Sequence, residues 1–446
     1  MRHSIPEAGK LLLNSLRASF WFVPGTMLLG SLVLAIGAIR LDRAGLEVPW
    51  LRWFETTEGA RAILTTVASS MITVTGVVFS ITIVALTLAS SQFGPRLLRG
   101  FMRDRANQLV LGTFVSTFLY CLVVLSLLPP PSSPGSIPQI SVSLAVVLAL
   151  SSLLVLVFFI HHVSTSIQAE SVIGSVIDEM DGQLRRLESR ARAPDPGSPD
   201  HVLEDTGEPR CVRARSTGYL RGVDDEELVR WAQRRDAIVA LEQEFGDFVI
   251  EGDVLMRVYG AATAGEVDDE ADEMREALSL GERRTPERDL RFLFQQLVEI
   301  ALRALSPGIN DPITAVACIR RLAAALCAVA PLPPPPQVHC DREGRPRLLM
   351  REPSFDDYLS CSLDPLRAAG ASHTMVLLAM LDLLGAVAER TESPERRATL
   401  AGHLDALRIA GERGLPHPRD RQEIERRAEP LRRALAQVVS VSSSDA

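Results

Sequence analysis

Between Ala62 and Pro95 the chain runs for 34 residues without one Asp, Glu, Lys or Arg. No other feature narrows the fold as far, because a water-soluble domain has to expose charge on every long helix. Two more such stretches, Ala18–Ile39 and Ala106–Ala169, lie in the same N-terminal part of the chain. A helix crosses the hydrocarbon of a bilayer with about 20 apolar residues. The last stretch is long enough for two crossings, and "LLPPPSSPGSIPQ" (Leu127–Gln139) divides it, since irregular backbone facing lipid would leave its polar groups unbonded. The sequence therefore predicts four transmembrane helices, near Phe20–Ile39, Ile63–Ser90, Leu109–Leu128 and Ile140–His161. A cleaved signal peptide would share the basic start (Arg2, Lys10, Arg17), but its apolar core is normally about 7–15 residues, shorter than the first stretch.

Charge returns abruptly after Pro95, and with one sign. Arg96, Arg99, Arg103 and Arg105 stand against the single acid Asp104, whereas the loop after the third stretch carries no charge. Positive loops stay in the cytoplasm. With a basic N-terminal segment, this predicts a multi-pass protein of the bacterial inner membrane with both termini cytoplasmic. Trp50, Trp53 and Phe54 in the outer loop fit an aromatic interface anchor. Arg96, Arg99 and Arg103 share one face of a helix started by Pro95. They suit contact with anionic headgroups or, in an oligomer, the inner mouth of a pore.

As a helix, Ala62–Pro95 would reach about 50 Å, far beyond the ~30 Å of hydrocarbon. Ser69, Thr73, Gly76, Ser80, Thr87 and Ser91 recur at intervals of three, four or seven and draw a small polar stripe along it. Such a stripe serves close helix packing or faces a water-filled path. No span holds a carboxylate, lysine or arginine, groups that mark proton relays and ion-coupled transporters, so passive conduction is easier to defend than pumping.

Beyond His161 helical periodicity continues through Val172, Val176, Ile177, Met180, Leu184 and Leu187, up to a linker, "RAPDPGSPD" (Arg192–Asp200). A β region follows. "GDFVIEGDVL" (Gly246–Leu255) resembles the turn of lipoyl- and biotinyl-like barrel-sandwich domains, with Gly246 and Gly252 in tight turns. The modified lysine of those domains has no counterpart, as Lys10 is the sole lysine of the chain. An acidic run from Glu266 to Glu276 lacks calcium-loop spacing and suits a solvated helix face, with a cation-attracting vestibule as the other reading. "ERDLRFLFQQLVEIALRALSPGINDPITAVACIRRLAAAL" (Glu287–Leu326) reads as two helices around a turn, with Asp311 the N-cap and Pro312 the first helical residue of the second. Ser306, Gly308, Asn310 and Asp311 form a candidate ligand or partner turn. The expected organisation is a four-span domain over 1–165, a helical extension and linker over 166–200, a small β module over 201–262 and a helical domain over 263–440.

"SSQFGPR" at the end of a long second span, the Gly-Asp-Phe-Val turn and "ALSPGINDP" (Ala304–Pro312) together resemble a family of bacterial predicted membrane proteins grouped as a domain of unknown function. The resemblance implies four inner-membrane spans with a cytosolic domain and transfers no catalytic residue. The residues themselves agree. His161 and His162 mark a membrane boundary, His339 and Cys340 have no second ligand pair for zinc, and neither a G-x-S-x-G elbow nor H-E-x-x-H occurs. The six cysteines form no C-x-x-C pair and read as reduced thiols. No enzyme activity, metal, cofactor or nucleic-acid partner is expected. The expected partners are the bilayer, further copies of the chain and a small ion or cytosolic ligand. Two readings remain: a homo-oligomeric, channel-like conductor of small ions with a cytosolic regulatory domain, or a membrane-anchored scaffold or sensor.

Overall fold

The computed structural model describes residues 21–44, 56–94, 104–128, 137–166, 168–192, 197, 199–203, 207–260 and 267–442. It divides into two compact units, 1–172 and 173–446. The Pro-rich interruption, the aromatic anchor and most of the 192–200 linker lie outside the described residues, as do Arg96, Arg99 and Arg103.

Among the described residues, the first unit consists of α1 (Phe22–Arg43), α2 (Thr57–Phe93), α3 (Arg105–Leu127) and α4 (Gln139–Ser166). Helix α3 packs against all three others and is the most buried of the four. One cluster joins Ala35, Leu64, Tyr120, Val124 and Val142; another joins Val78, Ala85, Phe114, Phe159 and Val163. Gly112 lets α1 approach α3 closely, since a Cβ there would stand 3.3 Å from the Pro24 Cα and 2.5 Å from the Met27 sulfur. The outer faces remain apolar, with Leu150, Leu153, Leu154 and Val157 of α4 exposed, as a lipid-facing surface requires.

Among the described residues, five helices are long and apolar enough to cross a membrane: these four and Pro312–Val329. The fifth belongs to the second unit, where Ala315, Cys318, Ile319, Leu322 and Leu326 bury its apolar face against other helices.

The second unit starts with most of α5 (Ala169–Ala191), which buries Ile173, Val176, Met180 and Leu187 along one stripe, followed by the short α6 (Pro199–Leu203). Then come β1 (Arg210–Arg213), β2 (Gly218–Val223), α7 (Asp225–Arg235), β3 (Ala237–Leu241), β4 (Phe248–Val249), β5 (Val254–Gly260), α8 (Val267–Glu276) and β6 (Leu278–Gly281). Helices α9 (Leu290–Ala304) and α10 (Pro312–Val329) precede the hairpin β7 (Val338–Cys340) and β8 (Pro346–Leu349). Helices α11 (Phe355–Gly370), α12 (Thr374–Ala388), α13 (Pro394–Gly414) and α14 (Pro418–Ser442) complete the unit.

The strands form a five-stranded sheet, β1-β5-β3-β8-β7, and a three-stranded sheet, β4-β2-β6. The pairing is antiparallel except between β3 and β8, where Val239 lies opposite Leu348. Strands thus come from outside 201–262. β3 alternates inward Ala237, Val239 and Leu241 with half-buried residues, and Leu348 and Met350 from the hairpin complete its core with Trp231 and Met256. Gly246 and Gly252 take the left-handed backbone expected of them, with φ of 88° and 93°.

Candidate functional site

At 100° per residue, Ala60, Leu64, Ala68, Val78 and Ala85 put the buried face of α2 about 180° from Ser69, Thr73, Gly76, Ser80, Thr87 and Ser91. All six residues of the polar stripe are exposed on the single chain. Polar contacts inside the bundle go elsewhere. Thr117 Oγ1 and Ser152 Oγ meet at 3.2 Å between α3 and α4, and the Tyr120 hydroxyl donates to the Ser141 carbonyl at 3.0 Å. Four of the five stripe hydroxyls bond along their own helix: Ser69 to the Thr66 carbonyl at 3.0 Å, Thr73 to Ser69, Thr87 to Ile83 and Ser91 to Leu88 at 2.9 Å each. They therefore tolerate lipid, a partner helix or water.

Two polar devices at the helix ends escaped the sequence reading. Asp42, in the last turn of α1, accepts hydrogen bonds from the Ile140 and Ser141 amides at 2.9 and 3.0 Å and from the Ser141 hydroxyl at 2.6 Å. One helix thus caps the N-terminus of another across almost a hundred residues. Asp104 caps α3 by accepting from the Ala106 amide at 2.9 Å, and its other oxygen meets His162 Nε2. Phe158 stacks on the His162 ring. His162 thus has a structural partner, and among the described residues no group of three or more His, Cys, Asp and Glu is placed to hold a metal ion.

In the second unit, the Ser306–Asp311 turn is closed by its own bonds. The Asn310 amide donates to the Ser306 carbonyl at 2.8 Å, and the Asp311 amide to the Ala304 carbonyl at 2.7 Å. Asn310 takes a left-handed φ of 50°, which Asn tolerates better than most residues. Asp311 caps α10 as expected, accepting from the Ile313 and Thr314 amides at 3.1 Å each and from the Thr314 hydroxyl at 2.6 Å. The Thr314 hydroxyl and amide hold its carboxyl below the usual aspartate range. Gly308 has no positive φ, and a Cβ there would meet nothing within 4 Å. Ile309 and Ile313 beside it are exposed.

The acidic run differs from a free solvated face. Glu270 pairs with Arg235 at 3.1 Å and Arg210 at 3.6 Å, while Asp272 pairs with Arg215 at 2.5 Å and Arg275 at 2.6 Å. These acids hold α8 against basic side chains around the sheet, which argues against a cation vestibule. Glu266 lies outside the described residues.

The Gly246 turn docks onto a buried ion pair. Arg284 donates through Nε and Nη2 to Asp289 Oδ2 at 2.9 and 2.6 Å, and Asp289 Oδ1 caps α9 through the Phe292 amide at 2.9 Å. Burial raises the Asp289 carboxyl, against the opposing pull of Arg284. A Cβ on residue 246 would stand 2.0 Å from Asp289 Oδ2, so only glycine fits.

A bundle of long apolar helices joined in one chain to a mixed α+β unit defines a multi-span membrane protein with a separate folded region. Residues 17–386 match the family described as "Predicted membrane protein (DUF2254)", and the chain belongs to that family. Uncharacterized proteins of Mycobacterium tuberculosis (strain CDC 1551 / Oshkosh) and Mycobacterium bovis (strain ATCC BAA-935 / AF2122/97) are each 32% identical over 423 residues, covering 92% of this chain and 80% of theirs. No solved structure matches.

Proposed function

We propose that the protein is a homo-oligomeric, channel-like conductor of small ions in the bacterial inner membrane, regulated by its α+β region. The observation that carries this is the position of the α2 stripe, opposite the face that α2 packs into its own bundle. Small polar side chains on an outward face pack against helices of further copies, and a ring of such helices can enclose a hydroxyl-lined path. We take the spans to be four, α1 to α4. Helix α10, with Arg320 and Arg321 adjacent at its middle and its apolar face already covered, stays with the cytosolic helices. The reading is non-enzymatic.

Cysteines introduced singly at Thr73, Ser80 and Thr87 test it. In a path, water-soluble thiol reagents modify them and block ion flux in liposomes. Val78, packed in the bundle, and Ile81, on the apolar face, resist. The second reading, a scaffold or sensor, draws support from the bonds of Ser69, Thr73, Thr87 and Ser91 to their own helix carbonyls, which lessen their need of water. Protection of all five positions, with a monomer in mild detergent, selects that reading.

A further inference from the structure

The second unit holds a cavity of about 340 Å³ between the C-terminal half of α5, the start of α9 and the segment leading into α11. Its walls are of two kinds. Leu187, Phe245 and Leu290 supply a buried apolar surface. Arg186, Arg190 and Arg288 supply charge.

The carboxylates beside them are already committed. Glu352 pairs with Arg190, and Asp289 is held by Arg284 at 2.6 Å. Arg288 lies over the Phe245 ring and shares Asp225 at 3.1 Å. Arg186 has no carboxylate partner among the described residues; it donates through Nη1 to the Glu287 carbonyl at 3.1 Å and keeps its other N–H groups free. The balance left to the cavity is positive.

Tyr358 adds a second, independent sign. It lines the cavity with only 4% of its surface exposed, yet its hydroxyl has no hydrogen-bond partner among the described residues. The ring is buried, but the hydroxyl is not among the fully buried polar atoms that lack a partner, so it opens to the cavity as a donor that no group of the fold engages.

We infer that this cavity binds a small organic anion, an apolar ring or acyl body carrying a phosphate or carboxylate, with the anion on Arg186 and the Tyr358 hydroxyl and the body on Leu187, Phe245 and Leu290. The volume sits at the small end of ligand sites, which run to about 300–1,000 Å³. Helix α5 follows the fourth apolar helix after two residues of chain, so a ligand fixing α5 acts on the segment that leads out of the membrane. That regulatory consequence rests on the proposed function; binding does not.

The test is calorimetry on the full-length protein in detergent at low salt with phenyl phosphate and phenylacetate, and with inorganic phosphate and benzyl alcohol as half-ligands. One of the two ring-bearing anions binds saturably and about tenfold tighter than either half-ligand. Arg186→Gln weakens it by about tenfold, the scale of a charge-assisted hydrogen bond. Tyr358→Phe weakens it several-fold without lowering the melting temperature, because the hydroxyl it removes bonds nothing in the fold. Ligand also slows amide exchange across 183–190. No saturable binding by the wild-type protein, or equal binding by both variants, overturns the site. A conducting protein that binds neither anion loses this site alone, and a binding protein that conducts nothing loses only the proposed function.

Discussion

Asp42 carries more of the first unit than any other single polar residue described. Its two oxygens satisfy two amides at the start of α4 and the Ser141 hydroxyl, so one carboxylate fixes the end of the first apolar helix to the start of the fourth. Asp42→Ala leaves those amides without their partner, and an N-cap of this kind is worth about 1–2 kcal/mol. Melting in detergent should fall accordingly, and Asp42→Asn, which keeps one acceptor, should recover part of the loss. Asp311 is the corresponding cap in the second unit, but there the bonds are local. Asp311→Ala should cost about 1 kcal/mol at pH 7. The sign of its pH dependence follows from its lowered carboxyl. The stabilisation is complete above the ordinary aspartate value of 3.8 and is lost as pH falls through the lower folded value. Wild type and Asp311→Ala should therefore converge in stability in strong acid; a constant difference across that range would place the effect outside the carboxylate.

At the scale of elements, two glycines separate what a turn needs for folding from what it leaves unexplained. Gly246 combines a left-handed φ with a neighbour too close for any Cβ. Gly246→Ala should push Asp289 from Arg284, and disrupting a buried ion pair costs about 3–5 kcal/mol. Gly308 has neither demand, so Gly308→Ala should leave melting within about 0.5 kcal/mol. If that variant melts normally but disturbs the protein's behaviour in its host, the turn flanked by Ile309 and Ile313 meets a partner. These elements also mark how far the sequence could be read. The apolar helices, the Gly246 and Gly252 turns and the Asp311 cap were legible because each is specified by residues close in the chain. β6 and the β7–β8 hairpin were not. Their strands are three or four residues long, and what makes them strands is the free edges of β2 and β3, far away in sequence. The Asp104–His162 contact and the Asp42 cap were hidden for the same reason, since local spacing does not join residues 58 or 98 positions apart.

The whole molecule is governed by the asymmetry between its two units. The first can fold only where its outer Leu, Val and Ile faces meet lipid, whereas the second closes its own core around Val239, Leu348, Phe294 and Leu322. The proposed side of the membrane for the second unit rests on charge. Arg96, Arg99, Arg103 and Arg105 follow α2, while the segment between α3 and α4 carries no charge to oppose translocation. With four spans, the cytoplasmic N-terminus proposed from Arg2, Lys10 and Arg17 would place the C-terminus inside as well. Reporter fusions should read the cytoplasm at the C-terminus and the opposite side after Pro134. If α10 crossed too, the C-terminus would move outside and match Pro134, and Asp311 with the rest of its turn would sit at a membrane surface. That outcome would require the buried face of α10 to leave α9 and α12, the helices it packs against. A cytoplasmic C-terminal reporter therefore tests the span count and the integrity of the second unit's core together.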